Sequence, residues 1–234
     1  MKSTTRPINC LLLLAGCLSL AVMSTAWADT QQDEGKKIYT QGAAGTPACA
    51  TCHGVNAEGN AAAGFPYLAG QGKTYLAEQL TYLADGTRES AIMKPMASAL
   101  SGSQREAVAA YVSSLPHPWD PNIIATKADT YPAPINSGAW LANRGDWSRD
   151  VPACTQCHAA GGIGVGSQFP AIAGLSKNYI VAQFNLWKAD KRPGGPGALM
   201  GNIAKRLTDN QIDVVASYFA DLPQANQAAN GAKK

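Results

Sequence analysis

The motif CxxCH occurs twice in the chain, as "CATCH" ending at His53 and as "CTQCH" ending at His158. In an exported protein this motif attaches haem c, because the two thiols add to the haem vinyl groups and the adjacent His coordinates the iron. A single helical turn presents both sulfurs to one edge of the porphyrin and places the imidazole beneath the metal. The sequence therefore predicts two covalent haem c groups, attached through Cys49, Cys52, Cys154 and Cys157 and ligated by His53 and His158.

Two other types of site use CxxC pairs, a thioredoxin-like dithiol or disulfide and a zinc centre. Neither explains why a His follows both pairs directly. The remaining cysteines, Cys10 and Cys17, lie in the N-terminal leader. Each CxxC pair also sits inside its own copy of an internal repeat, whereas one zinc ion would need both pairs together.

The first 28 residues have the pattern of a secretory signal peptide. Lys2 and Arg6 precede a short apolar run, and small residues lead to a predicted cleavage site after Ala28. This predicts export to the periplasm. The stretch "LAGC" ending at Cys17 resembles a lipoprotein cleavage site, which would instead attach the chain to a membrane. Cleavage there would leave "LSLAVM" in place of a polar tether, so soluble export is favoured.

An internal repeat extends well beyond the cysteines and predicts two domains of one fold. The stretch "FPYLAGQGKTYLAEQL" from Phe65 matches "FPAIAGLSKNYIVAQF" from Phe169, and "MKPMASAL" from Met93 matches "MGNIAKRL" from Met200. We predict a first domain at 29–116, a Pro-rich linker at 117–134 and a second domain at 135–234.

Apolar periodicity predicts helices and no sheet. Apolar residues recur at spacings of three and four in the segments 75–83 and 179–187, one in each copy of the repeat. Each copy ends in another helix, which begins at a capping box and should stop at a proline. The capping boxes are Ser101 with Gln104 and Thr208 with Gln211, and the prolines are Pro116 and Pro223. The predicted fold class is all-α.

Methionine is the remaining residue type that suits the distal side of a haem iron. Met200 is the only Met in the second domain, and its partner in the repeat is Met93. Each follows its haem His by about forty residues. We therefore predict Met93 and Met200 as distal ligands and Met96, which aligns with Ile203, as a packing residue.

Net charge differs between the halves of the chain. The full sequence has a net charge of +3, which falls to +1 when two basic residues leave with the signal peptide. Residues 29–116 carry −2 and residues 117–234 carry +3. This split fits either a solvated surface or a docking dipole. No basic run or aromatic-and-basic face points to nucleic acid.

The segment 188–196 is basic and rich in glycine. It contains Lys188, Lys191 and Arg192 and lengthens the interval between His158 and Met200. The segment is a candidate loop for docking a partner, and the alternative is a solvated insertion.

The chain resembles the class I c-type cytochromes, and most closely the two-haem cytochrome c4 family. The resemblance covers nearly all of the predicted mature chain and rests on "CATCHG", "MKPM", "CTQCHA", "ALMGNIAKRLT" and the two matched Phe-Pro stretches. It implies two tandem cytochrome c domains, each wrapped around one covalent haem with His/Met iron. It also implies that the carbonyls of Pro66 and Pro170 accept hydrogen bonds from His53 and His158.

The resemblance implies electron transfer between redox protein partners in the periplasm. The donor would be a quinol-cytochrome c reductase or a dehydrogenase, and the acceptor a terminal oxidase. A weak association with the membrane is compatible with this role. The alternative is the cytochrome subunit of a larger periplasmic oxidoreductase complex.

A less favoured hypothesis is that the chain is an enzyme, such as a dihaem peroxidase or a thiosulfate dehydrogenase. The only His outside the motifs, His117, lies between prolines in the linker, where we expect it to be exposed. A Cys iron ligand is disfavoured because all four cysteines of the mature chain are used for haem attachment. The sequence therefore predicts an electron carrier and no catalytic residue.

Overall fold

The computed structural model describes residues 30–43, 45–127, 133–192 and 197–231. The predicted signal peptide, including Cys17, lies outside these residues, as do residues 193–196 of the candidate docking loop. In the last helix, side chains are described as far as residue 223.

Helices connected by loops make up the described part of the chain. They are α1 (residues 30–41), α2 (Ala50–His53), α3 (Lys73–Asp85), α4 (Met93–Ser98), α5 (Gly102–Ser114), α6 (Pro121–Lys127), α7 (Gly138–Arg144), α8 (Thr155–His158), α9 (Lys177–Lys188), α10 (Gly197–Arg206) and α11 (Asp209–Gly231). Extended pairing among these residues is limited to four isolated bridges, so the all-α prediction is confirmed. Within the described ranges, no helix has the length and hydropathy needed to cross a membrane.

The helices of each repeat copy surround their own apolar core. The first core includes Ile38, Tyr39, Leu76, Leu100, Val108 and Val112. The second includes Leu141, Ile180, Phe184, Leu207, Ile212 and Phe219. The helices predicted at 75–83 and 179–187 are confirmed as parts of α3 and α9.

The first and last helices of each copy cross at a glycine. Gly35 of α1 lies against the backbone of Ala107 in α5, and Gly138 of α7 lies against the backbone of Val214 in α11. A Cβ atom at either glycine would overlap a backbone carbonyl. The two copies therefore share one close helix crossing, which a side chain at either position would prevent.

Both predicted capping boxes are present. The amide of Gln104 donates to Ser101 Oγ at 3.2 Å, and the Gln104 side chain accepts from the Ser101 amide at 2.9 Å. Thr208 and Gln211 make the same reciprocal pair at 3.2 and 2.9 Å. These contacts satisfy amides that have no partner within the first helical turn.

The prediction that proline ends both final helices is half wrong. Helix α5 ends at Ser114, two residues before Pro116, but α11 continues through Pro223 to Gly231. Pro223 has no N–H to donate to the carbonyl of Phe219, four residues earlier. That carbonyl instead accepts the amide of Gly174 at 2.8 Å, so a contact from outside the helix offsets the missing bond.

The predicted linker is packed against the second domain. Its residues 121–127 form α6, and Ile124 is buried where α6 contacts α11 and the segment around Gly161. The expectation that His117 is exposed is wrong. Its ring stacks on Trp119 with centroids 4.5 Å apart and meets the edge of Tyr67 from the first domain, and these two contacts leave it partly buried.

The first domain reaches into the second through Tyr67 and Gln71. Tyr67 belongs to the second core, and its hydroxyl donates to the carbonyl of Ala173 at 2.9 Å. The Gln71 side chain donates to the carbonyl of Ala171 at 2.8 Å and accepts the Ala171 amide at 3.0 Å. Both residues are almost fully buried, so these bonds join the domains away from water.

We predict that Gln71→Leu weakens the domain interface. The substitution leaves the buried amide and carbonyl of Ala171 unpaired, which should lower the free energy of unfolding by about 2–4 kcal/mol. Leucine is already the residue at the equivalent position of the second domain, Leu175, so it suits the fold of a single domain. Guanidinium unfolding of the haem-loaded protein, followed by circular dichroism, measures the change.

Thr81→Ala is the matched control. The exposed Thr81 hydroxyl donates to the Ala77 carbonyl within α3, and its loss should change stability by less than about 0.5 kcal/mol. Equal effects of the two substitutions would show that the Gln71 contacts do not stabilise the interface.

Candidate functional site

Each CxxCH motif forms one helical turn. In α2, the amide of His53 donates to the carbonyl of Cys49 at 3.0 Å, and in α8 the amide of His158 donates to the carbonyl of Cys154 at 2.9 Å. Such a turn carries its two cysteines on adjoining positions, with the His immediately after. The local geometry is therefore the one that the motif predicts for haem attachment.

A proline carbonyl orients each motif histidine. His53 Nδ1 lies 2.9 Å from the carbonyl oxygen of Pro66, and His158 Nδ1 lies 2.7 Å from that of Pro170. A carbonyl can only accept, so Nδ1 carries the proton and Nε2 keeps a free lone pair. These contacts confirm the hydrogen bonds expected of Pro66 and Pro170.

Burial keeps both imidazoles neutral. It lowers the pKa of His53 and of His158, while the hydrogen bonds to the proline carbonyls partly oppose this. The Nε2 atom of His53 is buried and has no hydrogen-bond partner among the described residues. A buried, neutral imidazole with an unpaired Nε2 is the form that coordinates a metal.

The cysteines do not resemble a reactive dithiol. All four are free, and burial raises the pKa of Cys49 and takes that of Cys154 to about 12. Redox-active CxxC pairs have a lowered thiol pKa. Cys49 packs on the first core and Cys154 on the second, so a single zinc ion shared by both pairs is also not supported.

The three candidate methionines are partly buried. Met93 begins α4 and Met96 follows one turn later, while Met200 lies within α10. Met200 packs on the second core, as do Cys154 and Trp187. The assignment of Met93 and Met200 as distal ligands stays a prediction.

One part of the candidate docking loop lies inside the molecule. Arg192 is only 7% exposed and sits between the domains, whereas Lys188 and Lys191 reach the surface and pair with Asp209 and Glu89. The expectation of a basic loop free to bind a partner is therefore wrong for Arg192. The Arg192 side chain points inward, where it donates three hydrogen bonds to side chains of α3 and α9.

Sequence reasoning missed a polar cluster at this interface. The cluster consists of Arg88, Arg192, Tyr75, Tyr179, Gln79 and Gln183. A signal was available in the repeat, since each Arg follows the Tyr of its own domain by thirteen residues.

Comparisons with known proteins identify the type of domain. The Cytochrome c family model matches residues 32–116. The thiosulfate dehydrogenase electron acceptor of Stutzerimonas stutzeri (strain A1501) is 43% identical over 213 residues, covering 90% of this chain and 94% of that protein. Cytochrome c4 of Pseudomonas aeruginosa is 32% identical over 187 residues, covering 77% of this chain and 87% of that protein.

A solved structure resembles both domains together. The thiosulfate dehydrogenase of Marichromatium purpuratum matches 85% of this chain with a TM-score of 0.71 and 36% sequence identity. This chain spans 42% of the length of that one. The likeness therefore covers part of a longer protein.

These similarities and the two motifs establish two covalently bound haem c groups as the cofactors. The described residues fit them, because each domain places free thiols and a neutral, oriented imidazole on one helical turn. In each domain the haem would be held by the cysteines and histidine of its motif.

We predict that Met93→Leu and Met200→Leu each remove one iron–sulfur bond. The weak sulfur-to-iron absorption band at the red end of the visible spectrum should fall to about half in either variant and vanish in the double variant. Absorption spectra of the oxidised protein measure this band.

Met96→Leu is the matched control, since it changes a thioether in the same helix and should leave the band intact. Loss of half of the band in Met96→Leu, with none lost in Met93→Leu, would transfer the ligand role to Met96.

Proposed function

The chain belongs to the dihaem cytochrome c4 family, and on that premise we propose that it is a periplasmic electron carrier reduced by a thiosulfate dehydrogenase. The observation that carries the proposal is the 43% identity, over 90% of the chain, to a protein named as the electron acceptor of that enzyme. The donor would thus be a dehydrogenase, and electrons would pass on to a terminal oxidase. The signal-peptide pattern before residue 29 supports a periplasmic location.

The solved thiosulfate dehydrogenase supports the same partner. Part of that longer chain has the fold of this one, so a unit of this fold belongs to a chain that is itself named a thiosulfate dehydrogenase in Marichromatium purpuratum. A separate carrier that meets the enzyme by diffusion would perform the same electron transfer.

The interface suits a carrier that holds two one-electron centres in a fixed relation. Bound haem supplies one-electron storage at each iron. The segment that orients His53 through Pro66 continues directly into Tyr67, which bonds to Ala173. The segment that orients His158 lies beside Ala171, which bonds to Gln71. The two histidine supports are therefore hydrogen-bonded to each other.

Exposed apolar side chains adjoin the predicted distal ligands in both domains. Ile92, directly before Met93, is 61% exposed, and Leu199, directly before Met200, is 48% exposed. Their equivalence in the repeat supports one apolar contact point per domain for a redox partner. These points also support the second candidate role, that of a subunit bound stably to a larger oxidoreductase.

We predict reduction by thiosulfate only when the dehydrogenase is present. Oxidised protein mixed with thiosulfate and a catalytic amount of purified thiosulfate dehydrogenase should take up two electrons per chain. Without the enzyme, reduction should be slower by at least about 100-fold, because a carrier in the proposed role receives electrons from the enzyme and does not itself oxidise thiosulfate. Stopped-flow absorption in the visible range follows the reaction.

A single-haem class I cytochrome serves as the control acceptor and should be reduced more slowly at equal haem concentration. Rapid reduction by thiosulfate alone would make the chain an enzyme. Reduction by a quinol-oxidising complex but not by the dehydrogenase would replace the proposed donor. Co-elution with the dehydrogenase at nanomolar concentration would favour the stable-subunit role.

A further inference from the structure

Two arginines lie buried side by side in the domain interface, and their hydrogen-bond acceptors are neutral. Arg88 donates to Gln79 at 3.0 Å, to Tyr179 at 2.9 Å and to Gln183 at 2.8 Å. Arg88 is 9% exposed and Arg192 is 7% exposed. Two guanidinium charges are therefore held away from water.

Arg192 repeats this pattern across the interface. It donates to Gln183 at 3.0 Å, to Tyr75 at 3.1 Å and to Gln79 at 2.9 Å. Each arginine thus bonds the glutamine of its own domain together with the tyrosine and glutamine of the other. The cluster has approximate twofold symmetry and belongs equally to both domains.

The cluster has an excess of positive charge. The titratable groups that act on Arg192 are Tyr75, Arg88 and Tyr179, and those that act on Arg88 are Tyr179 and Tyr75. Burial raises the pKa of Tyr179, but the two guanidinium groups lower it by more, so its net shift is downward. Among the described residues, no carboxylate neutralises the pair. A buried charge without a counter-charge is strongly destabilising, so the two guanidinium groups call for an anion.

A third donor at the same place has no acceptor. The guanidinium of Arg192 lies 4.3 Å from the ring centroid of Trp187, and the Nε1–H of that indole is buried without a hydrogen-bond partner in the described residues. Guanidinium and indole N–H groups can only donate. The unpaired indole therefore calls for an acceptor beside Arg192.

The aromatic partners of the arginines also border the two haem domains' cores. Tyr75 packs on the first core, as does Cys49. Tyr179 and Trp187 pack on the second core, together with Cys154 and Met200. The arginine cluster therefore lies between the core that carries the first haem-binding motif and the core that carries the second.

We propose that Arg88, Arg192 and the indole of Trp187 bind the propionate carboxylates of the two haems. Each haem carries two propionates, which act only as hydrogen-bond acceptors when they are ionised. The planar guanidinium of arginine matches the geometry of a carboxylate better than any other side chain does. Because each arginine is bonded to both domains, the pair acts as a counter-charge that the two haems share. This inference rests on the haem groups and not on the identity of the electron donor.

A shared counter-charge has an electrical consequence. Oxidised haem iron carries one more positive charge than reduced iron, so nearby cations favour the reduced form. Removing one arginine should lower the reduction potential of both haems, not only that of the haem in the same domain. A residue that merely holds the domains together would not produce this joint shift.

The test is a spectroelectrochemical titration of three haem-loaded variants. Arg192→Met should shift the reduction equilibrium of both haems about tenfold towards the oxidised form, which is a lowering of about 59 mV for one electron. Arg192→Lys keeps the charge and should shift both by less than threefold. Lys191→Met, which removes the adjacent surface cation and its pairing with Glu89, should leave both within twofold.

Several outcomes would overturn the proposal. A shift confined to the second haem would show that the charge is not shared, and no shift would show that the propionates lie elsewhere. Equal shifts in the Met and Lys variants would indicate a structural role alone. A dependence of the wild-type potentials on phosphate concentration, at constant ionic strength, would identify a solvent anion as the occupant.

A second measurement covers the case in which Arg192→Met fails to assemble. Resonance Raman bands for propionate bending report hydrogen bonding to the carboxylates. These bands should change between wild type and Arg88→Lys, and again between wild type and Arg192→Lys. Unchanged bands in both well-folded Lys variants would reject the arginines as propionate partners.

Discussion

The hydrogen bond from each motif histidine to a proline carbonyl is the contact on which the rest of the molecule depends. At His53 and His158 it selects the tautomer, orients the ring and leaves Nε2 free. It also ties a single helical turn to the segment that follows it by 12 or 13 residues. In the first domain that segment continues into Tyr67 and Gln71, so the support of one iron ligand is continuous with the domain interface.

The interface combines symmetric and asymmetric contacts, and these differ in what they do. The cluster of Arg88, Arg192 and their tyrosine and glutamine partners repeats across the approximate twofold. Tyr67 and Gln71 have no such counterparts, because Ala171 and Leu175 occupy the equivalent positions. The asymmetric contacts fix which domain inserts into the other, while the symmetric ones place equal charge between them. The interface between the two repeat copies is therefore directional at Tyr67 and Gln71 and symmetric at the arginine cluster.

Local and repeated features of the fold were predictable, and long-range contacts were not. The helices α3 and α9, the capping boxes and the end of α5 depend on nearby residues, and the sequence predicted them. Helix α11 continues past Pro223, and the amide of Gly174 bonds the carbonyl that the proline leaves unpaired. His117 meets Tyr67 and Arg192 bonds to Tyr75, and both of these partners are far away in sequence. A charged or aromatic residue in a Pro-rich stretch carries no local sign of such burial.

Because Arg192 is buried, the net charges of the two halves of the sequence do not equal the charges on the two surfaces. Part of the +3 in the second half lies inside the molecule, and Lys188 and Lys191 are paired with Asp209 and Glu89. The Lys191 pair crosses the domain interface, so it reduces the contrast between the two surfaces. Long-range steering by this region is therefore weak, and salt would screen it further. Recognition of a redox partner must then depend more on short-range contact, for which Ile92 and Leu199 are the exposed apolar candidates beside the predicted iron ligands.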